Sequence, residues 1–79
     1  LATEPIIIDA RGLKCPLPVL KLEKQLAQAP DGAAIAVLTT DPMARIDIPL
    51  YCRQNGYDCA SDDADGAVRF TVTKAKPAL

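Results

Sequence analysis
The alternation of apolar and polar positions divides the chain into six elements. Ile6-Ile7-Ile8 is a short β-branched run and predicts a buried first strand that ends at Asp9. From Pro16 to about Gln28 the spacing is helical. At about 100° per residue, Val19, Leu22, Leu26 and Ala29 share one face, with Leu20 and Ala27 beside it. Lys21, Lys24, Gln25 and Gln28 lie opposite, and Leu17 falls among these polar residues. Ala29-Pro30-Asp31-Gly32 stops the helix. Ala34 to Thr39 is almost wholly apolar and predicts a central strand. Asp41-Pro42 is a helix start, with Asp41 as cap and Pro42 at the first position. Pro49 then breaks the pattern, which predicts a short turn over 42–45 and a helix from about Pro49 to Asn55, closed by Gly56. A third strand is expected over 57–61 and a hairpin turn over 62–66. A fourth follows over 67–74, with Val68, Phe70 and Val72 inward.

The predicted order is β-α-β-α-β-β. A strand–helix–strand unit closes as a right-handed crossover between parallel strands, and the last two strands form an antiparallel hairpin. The expected fold is α/β: a two-layer sandwich with a mixed four-stranded sheet and two helices packed on one face. At 79 residues, 49% of them hydrophobic, the expectation is one domain spanning 1–79, with a frayed tail over 75–79.

Composition removes several functions. The net charge of −1 provides no general attraction to nucleic acid or an acidic membrane, and no apolar run is long enough to span a bilayer. The first five residues lack the basic and apolar regions of a signal peptide. Histidine is absent, which excludes Cys–His and Ser–His nucleophile pairs. Three cysteines without histidine make a poor zinc set, so neither metal nor cofactor is expected. The acidic run Asp62-Asp63-Ala64-Asp65 lacks a calcium-binding loop and reads as a solvated turn. An odd number of cysteines fits a reduced cytoplasmic protein better than a disulfide scaffold.

Chemistry concentrates in Arg11-Gly12-Leu13-Lys14-Cys15-Pro16-Leu17-Pro18. Pro16 suits the first helical position, which makes Cys15 the expected N-cap. Gly12 is free to take a positive φ before it. Pro18 removes another amide, leaving the Leu17 N–H as the free donor for an anion at Cys15. The helix dipole, Lys14 and Arg11 should all favour the thiolate. Leu17, Lys21 and Lys24, with Lys14, form a candidate docking patch. Cys52 and Cys59 read as packing or surface residues.

Asp9 to Pro18, with its Cys-Pro-x-Pro motif, resembles the signature of the TusA/SirA family of small sulfur-carrier proteins. Asp41-Pro42 and Asp47-Ile48-Pro49-Leu50-Tyr51-Cys52 extend the resemblance, which covers the chain from Ile8 to Val72. It implies that Cys15 carries sulfur as a persulfide, received from a cysteine desulfurase or rhodanese-like donor and relayed to an acceptor protein. In some members that relay leads to tRNA thiolation; others serve molybdenum-cofactor, selenium or dissimilatory sulfur metabolism. The protein would then be a cosubstrate rather than a self-sufficient enzyme. Two other classes remain open. One is an RNA- or protein-binding regulatory module, although Tyr51, Tyr57 and Phe70 are the only aromatic residues and direct nucleic-acid binding is not expected. The other is a thiol–disulfide oxidoreductase, which requires Cys52 or Cys59 to approach Cys15.

Overall fold
The computed structural model describes residues 6–74. The expected fraying over 75–79 and the first five residues, read for a signal peptide, lie outside the described residues. The elements are β1 (Ile6–Ala10), α1 (Leu17–Gln28), β2 (Ala34–Thr39), α2 (Ala44–Asn55), β3 (Asp58–Ala64) and β4 (Ala67–Thr73). They build a four-stranded sheet in the order β1-β2-β4-β3. β1 pairs parallel with β2, and β4 lies antiparallel between β2 and β3. From β1 to β2 and from β2 to β3 the chain advances across the sheet in one direction. Two right-handed crossovers in the same direction place both helices on the same face.

That covered face carries Ile8 and Ala10 from β1, Ile35, Val37 and Thr39 from β2, and Val68, Phe70 and Val72 from β4. Leu22 and Leu26 of α1 and Ala44, Ile48 and Cys52 of α2 close over them. The other face bears exposed Ile7, Asp9 and Arg69, the last paired with Asp62 at 2.6 Å. Lys74 ties the end of α1 down, its Nζ donating to the Leu26 and Ala29 carbonyls at 2.9 and 2.8 Å. A cation there satisfies carbonyls the helix cannot and complements its negative end.

Five expectations need correction. β1 is an edge strand rather than a buried one: Ile6 and Ile7 are 42% and 66% exposed, and of the three isoleucines Ile8 alone is covered by the helices. Asp41 is not the N-cap and Pro42 not the first helical residue, because α2 begins at Ala44 with Met43 as N-cap, and Asp41-Pro42 form the turn before it. α2 is not broken at Pro49: it runs unbroken from Ala44, with Pro49 inside it. Proline at the sixth helical residue removes one bond, to the Arg45 carbonyl of an exposed first turn. Against that loss, Ala44, Ile48 and Cys52 recur every fourth residue and are all buried. The hairpin turn is also shorter. Asp62, Asp63 and Ala64 continue β3 opposite Arg69, Val68 and Ala67, leaving Asp65 and Gly66 to turn the chain at φ 50° and 82°. Finally, α1 starts at Leu17, with Pro16 rather than Cys15 as N-cap. The Pro16 carbonyl accepts the Leu20 N–H at 3.0 Å, which places Cys15 in the turn before the helix.

Candidate functional site
The loop after β1 turns at Arg11-Gly12. Gly12 has φ 81°, as expected, and donates its N–H to Thr40 Oγ1 at 2.9 Å, fastening the loop to the end of β2. The Cys15 N–H donates to Asp41 Oδ2 at 2.6 Å, a second tie to the same connection. Pro16 follows through a cis peptide, and Pro18 is buried within the first turn of α1. Cys15 itself is exposed, and its Sγ–H donates to Asp47 Oδ2 on α2.

The electrostatics reverse the sequence expectation. The Asp47 carboxylate, by accepting the S–H bond, pushes the Cys15 thiol above its ordinary range. Partial desolvation and the charges of Asp47 and Asp41 act in the same direction. A helix N-terminus is equivalent to about half a positive charge. Here it faces one full negative charge in contact with the sulfur and a second one bonded to the cysteine amide. The carboxylates win, so the resting group is a thiol.

The expected cations do not offset this. Arg11 is folded back on Asp9, with Nε and Nη2 each 2.8 Å from its carboxylate, holding that carboxyl at about 2. The charge of Lys14 acts on Asp41, whose carboxyl is lowered chiefly by the Cys15 and Met43 N–H groups. The Leu17 N–H is not free for an anion either: it donates to the Lys14 carbonyl at 2.8 Å.

Leu17 is 47% exposed, off the buried stripe as its position implied. Lys21 and Lys24 are exposed and line an open recess with Ile8 and Gln25 on the β1 side of α1. Met43 and Ile46 at the start of α2 are exposed too. The other cysteines lie apart from this chemistry. Cys52 is 1% exposed and burial pushes its thiol up to about 12; Cys59 is half-buried and also raised by burial. The two thiols interact with each other, while Cys15 pairs with Asp47, which gives no support to a Cys15 disulfide exchange.

Asp41, Asp47 and Thr40 are the site residues the sequence pattern did not assign. Asp41 had a visible signal as a helix cap, but its reach to the first helix start is a long-range contact. Among the described residues no cluster of Cys, Asp or Glu is arranged to hold a metal, and no helix is long and apolar enough to cross a membrane.

Known proteins resemble this architecture throughout. A protein of Neisseria meningitidis serogroup A is 48% identical over 66 residues, covering 82% of this chain and 89% of its own. The sulfur carrier protein TusA of Pseudomonas putida strain F1 is 36% identical over 73 residues, 91% of each chain. The crystal structure of a SirA-like protein from Desulfitobacterium hafniense superposes with a TM-score of 0.81 at 29% identity, covering 90% of this chain and 99% of that one. The family model described as sulfurtransferase TusA matches residues 6–74, from the first residue of β1 to the end of the sheet. With its Cys-Pro-Leu-Pro turn held between two helix starts, the chain belongs to the sulfurtransferase TusA family.

Proposed function
We propose that this protein is a sulfur carrier. Cys15 accepts a sulfur atom as a persulfide from a cysteine desulfurase or rhodanese-like donor and passes it to an acceptor protein. The observation that carries the reading is the placement of Cys15. It is the one exposed cysteine among the three, set on a turn fastened by Gly12–Thr40 and Cys15–Asp41, in a chain whose relatives include sulfur carriers. The Cys15 sulfur attacks the outer sulfur of the donor persulfide, and the donor thiolate leaves. A later acceptor thiolate attacks the outer sulfur on Cys15 and restores the thiol.

Such a carrier needs an accessible sulfur and little acid–base machinery of its own, in keeping with a chain that has no histidine and one serine. The donor docks across Leu17, Lys14, Lys21 and Lys24, all exposed on α1 or the loop before it. A reducing cytoplasm suits its three unpaired thiols. The test is incubation with a cysteine desulfurase and cysteine, followed by intact-mass measurement and peptide mapping. One added sulfur on Cys15, removed by reductant and absent from Cys15→Ser, is the expected result. Sulfur on Cys52 or Cys59, or retained in Cys15→Ser, contradicts it.

A further inference from the structure
We propose that Asp47 senses whether the carrier is loaded: its carboxylate holds the empty Cys15 sulfur against α2 and releases it once sulfur is attached. The inference rests on the persulfide reading above and assigns Asp47 a positioning role at that site.

Two anchors act on Cys15, and they differ in what they grip. Asp41 takes the backbone N–H at 2.6 Å, a bond indifferent to what the sulfur carries. Asp47 takes the Sγ–H itself. The empty residue therefore has a docked sulfur on a fixed backbone. Loading removes the very proton that makes the Asp47 bond. In balanced form, Cys15–S–H plus donor–S–S–H gives Cys15–S–S–H plus donor–S–H. The Sγ–S bond forms, the donor S–S bond breaks, and the thiol proton ends on the departing donor sulfur. A persulfide is a stronger acid than its parent thiol, so the product then loses its remaining proton to water. An anion now faces Asp47, with Asp41 close behind, and like charges in contact repel.

Among the described residues no ion pair reaches Asp47 or Asp41 to cancel that repulsion. Arg11 is committed to Asp9, and Lys14, the neighbour in the loop, acts on Asp41. Because the backbone stays tied to Asp41, the terminal sulfur swings out toward solvent and toward an acceptor. The empty thiol, by contrast, stays neutral and docked, in keeping with its pKa being raised above the ordinary thiol value. Empty and loaded carriers thus present different surfaces through one side chain.

The test compares alkylation of the two states by iodoacetamide, read on the Cys15 peptide by mass, in wild type, Asp47→Asn and Asp47→Glu. The loaded state is prepared with inorganic polysulfide. The wild-type loaded form should react much faster than the empty form at pH 7. Asp47→Asn should move the midpoint of the empty-form rate–pH profile downward, and a midpoint lower by about one pH unit raises the rate at pH 7 about tenfold. The loaded rate should scarcely change, and Asp47→Glu should keep the slow empty rate. An unchanged empty profile in Asp47→Asn overturns the proposal, as does an equal acceleration of both forms, which would mean a loosened α2. Wild type that takes up no sulfur on Cys15 overturns the carrier reading and this inference with it.

Discussion

The chain starts a helix after Xaa-Pro twice, and the two starts use the residue before the proline differently. At Asp41-Pro42 that residue is a carboxylate, and it does structural work. Asp41 Oδ1 accepts the Met43 N–H at 3.1 Å and its carbonyl accepts the Ala44 N–H at 3.0 Å, closing the turn that opens α2. At Cys15-Pro16 the residue is a thiol, and its side chain makes no bond to its own turn; neither helix has a side-chain bond from its N-cap residue, Pro16 or Met43. The second start supplies what the first lacks: Asp41 Oδ2 takes the Cys15 amide and Asp47 takes the thiol. Holding the site together thus falls to the carboxylate-rich start, and the cysteine start is left free to present sulfur.

The largest expected effect follows from that division. Asp41→Ala removes the side-chain bonds to the Met43 and Cys15 amides together, and should lower Tm by roughly 4–8 °C for a domain of this size. Cys15→Ala should leave Tm nearly unchanged in the same thermal melts monitored by circular dichroism. Comparable losses in the two variants would break the comparison.

The acid limb sharpens it. The Asp41 carboxyl lies below its ordinary value in the folded chain. A group depressed by folding binds its proton more readily when unfolded, so its stabilisation is present above the ordinary Asp value of about 3.9. It is lost as pH falls through the folded value. Denaturant titrations should show a shallower acid limb for Asp41→Asn than for wild type, and an identical limb would remove Asp41 from the account. Asp9 is also depressed, to about 2, so Asp9→Asn is the control.

A smaller effect on stability is expected at Leu17. Being 47% exposed, it should cost less than about 0.5 kcal/mol on truncation to Ala, while sulfur loading from the donor falls. Intact loading together with a large fall in Tm would make Leu17 part of the core rather than of a docking surface. Smallest of all is Lys14→Glu. Adding a negative charge next to Cys15 should slow its alkylation modestly, and the difference should shrink at high salt. A faster reaction would show that the local field is not the one described.

Much of this was legible from local pattern. The apolar strand 34–39 and the alternation of Val68, Phe70 and Val72 each name a buried face without help from the rest of the chain, whereas the β-branched run 6–8 reads as wholly buried but lies in an edge strand, where Ile8 alone of the three is covered. Gly12 and Gly56 announced left-handed turns, and φ values of 81° and 74° follow. The errors arose where tertiary packing outweighs a local signal. Pro49 reads as a breaker, but the fourfold spacing of Ala44, Ile48 and Cys52 carries the helix through it. Asp62 and Asp63 read as turn residues, yet β4 pairs with them through Arg69 and Val68, so the strand continues to Ala64.

The site was half legible for the same reason. The motif marks the cysteine, because two prolines and a glycine within seven residues shape one short turn. The acidity was inferred from neighbours in sequence, Arg11 and Lys14, whereas it is set by neighbours in space. Asp41 and Asp47 stand 26 and 32 residues away and become neighbours only when β2 pairs with β1 and α2 folds back beside α1. Arg11 had a nearer partner at Asp9, two residues behind it.

The most direct measurement of the thiol at the centre of this account is a pH titration by NMR, using protein labelled with carbon-13 at the cysteine β-carbons. Cys15 is identified by its loss in Cys15→Ser, which separates it from the two core thiols. The paired carboxylates predict a Cys15 midpoint above the ordinary thiol value of about 8.5. A midpoint at or below that value would mean that the α1 dipole and Lys14 govern the sulfur after all, contradicting the carboxylate hold drawn from the two helix starts.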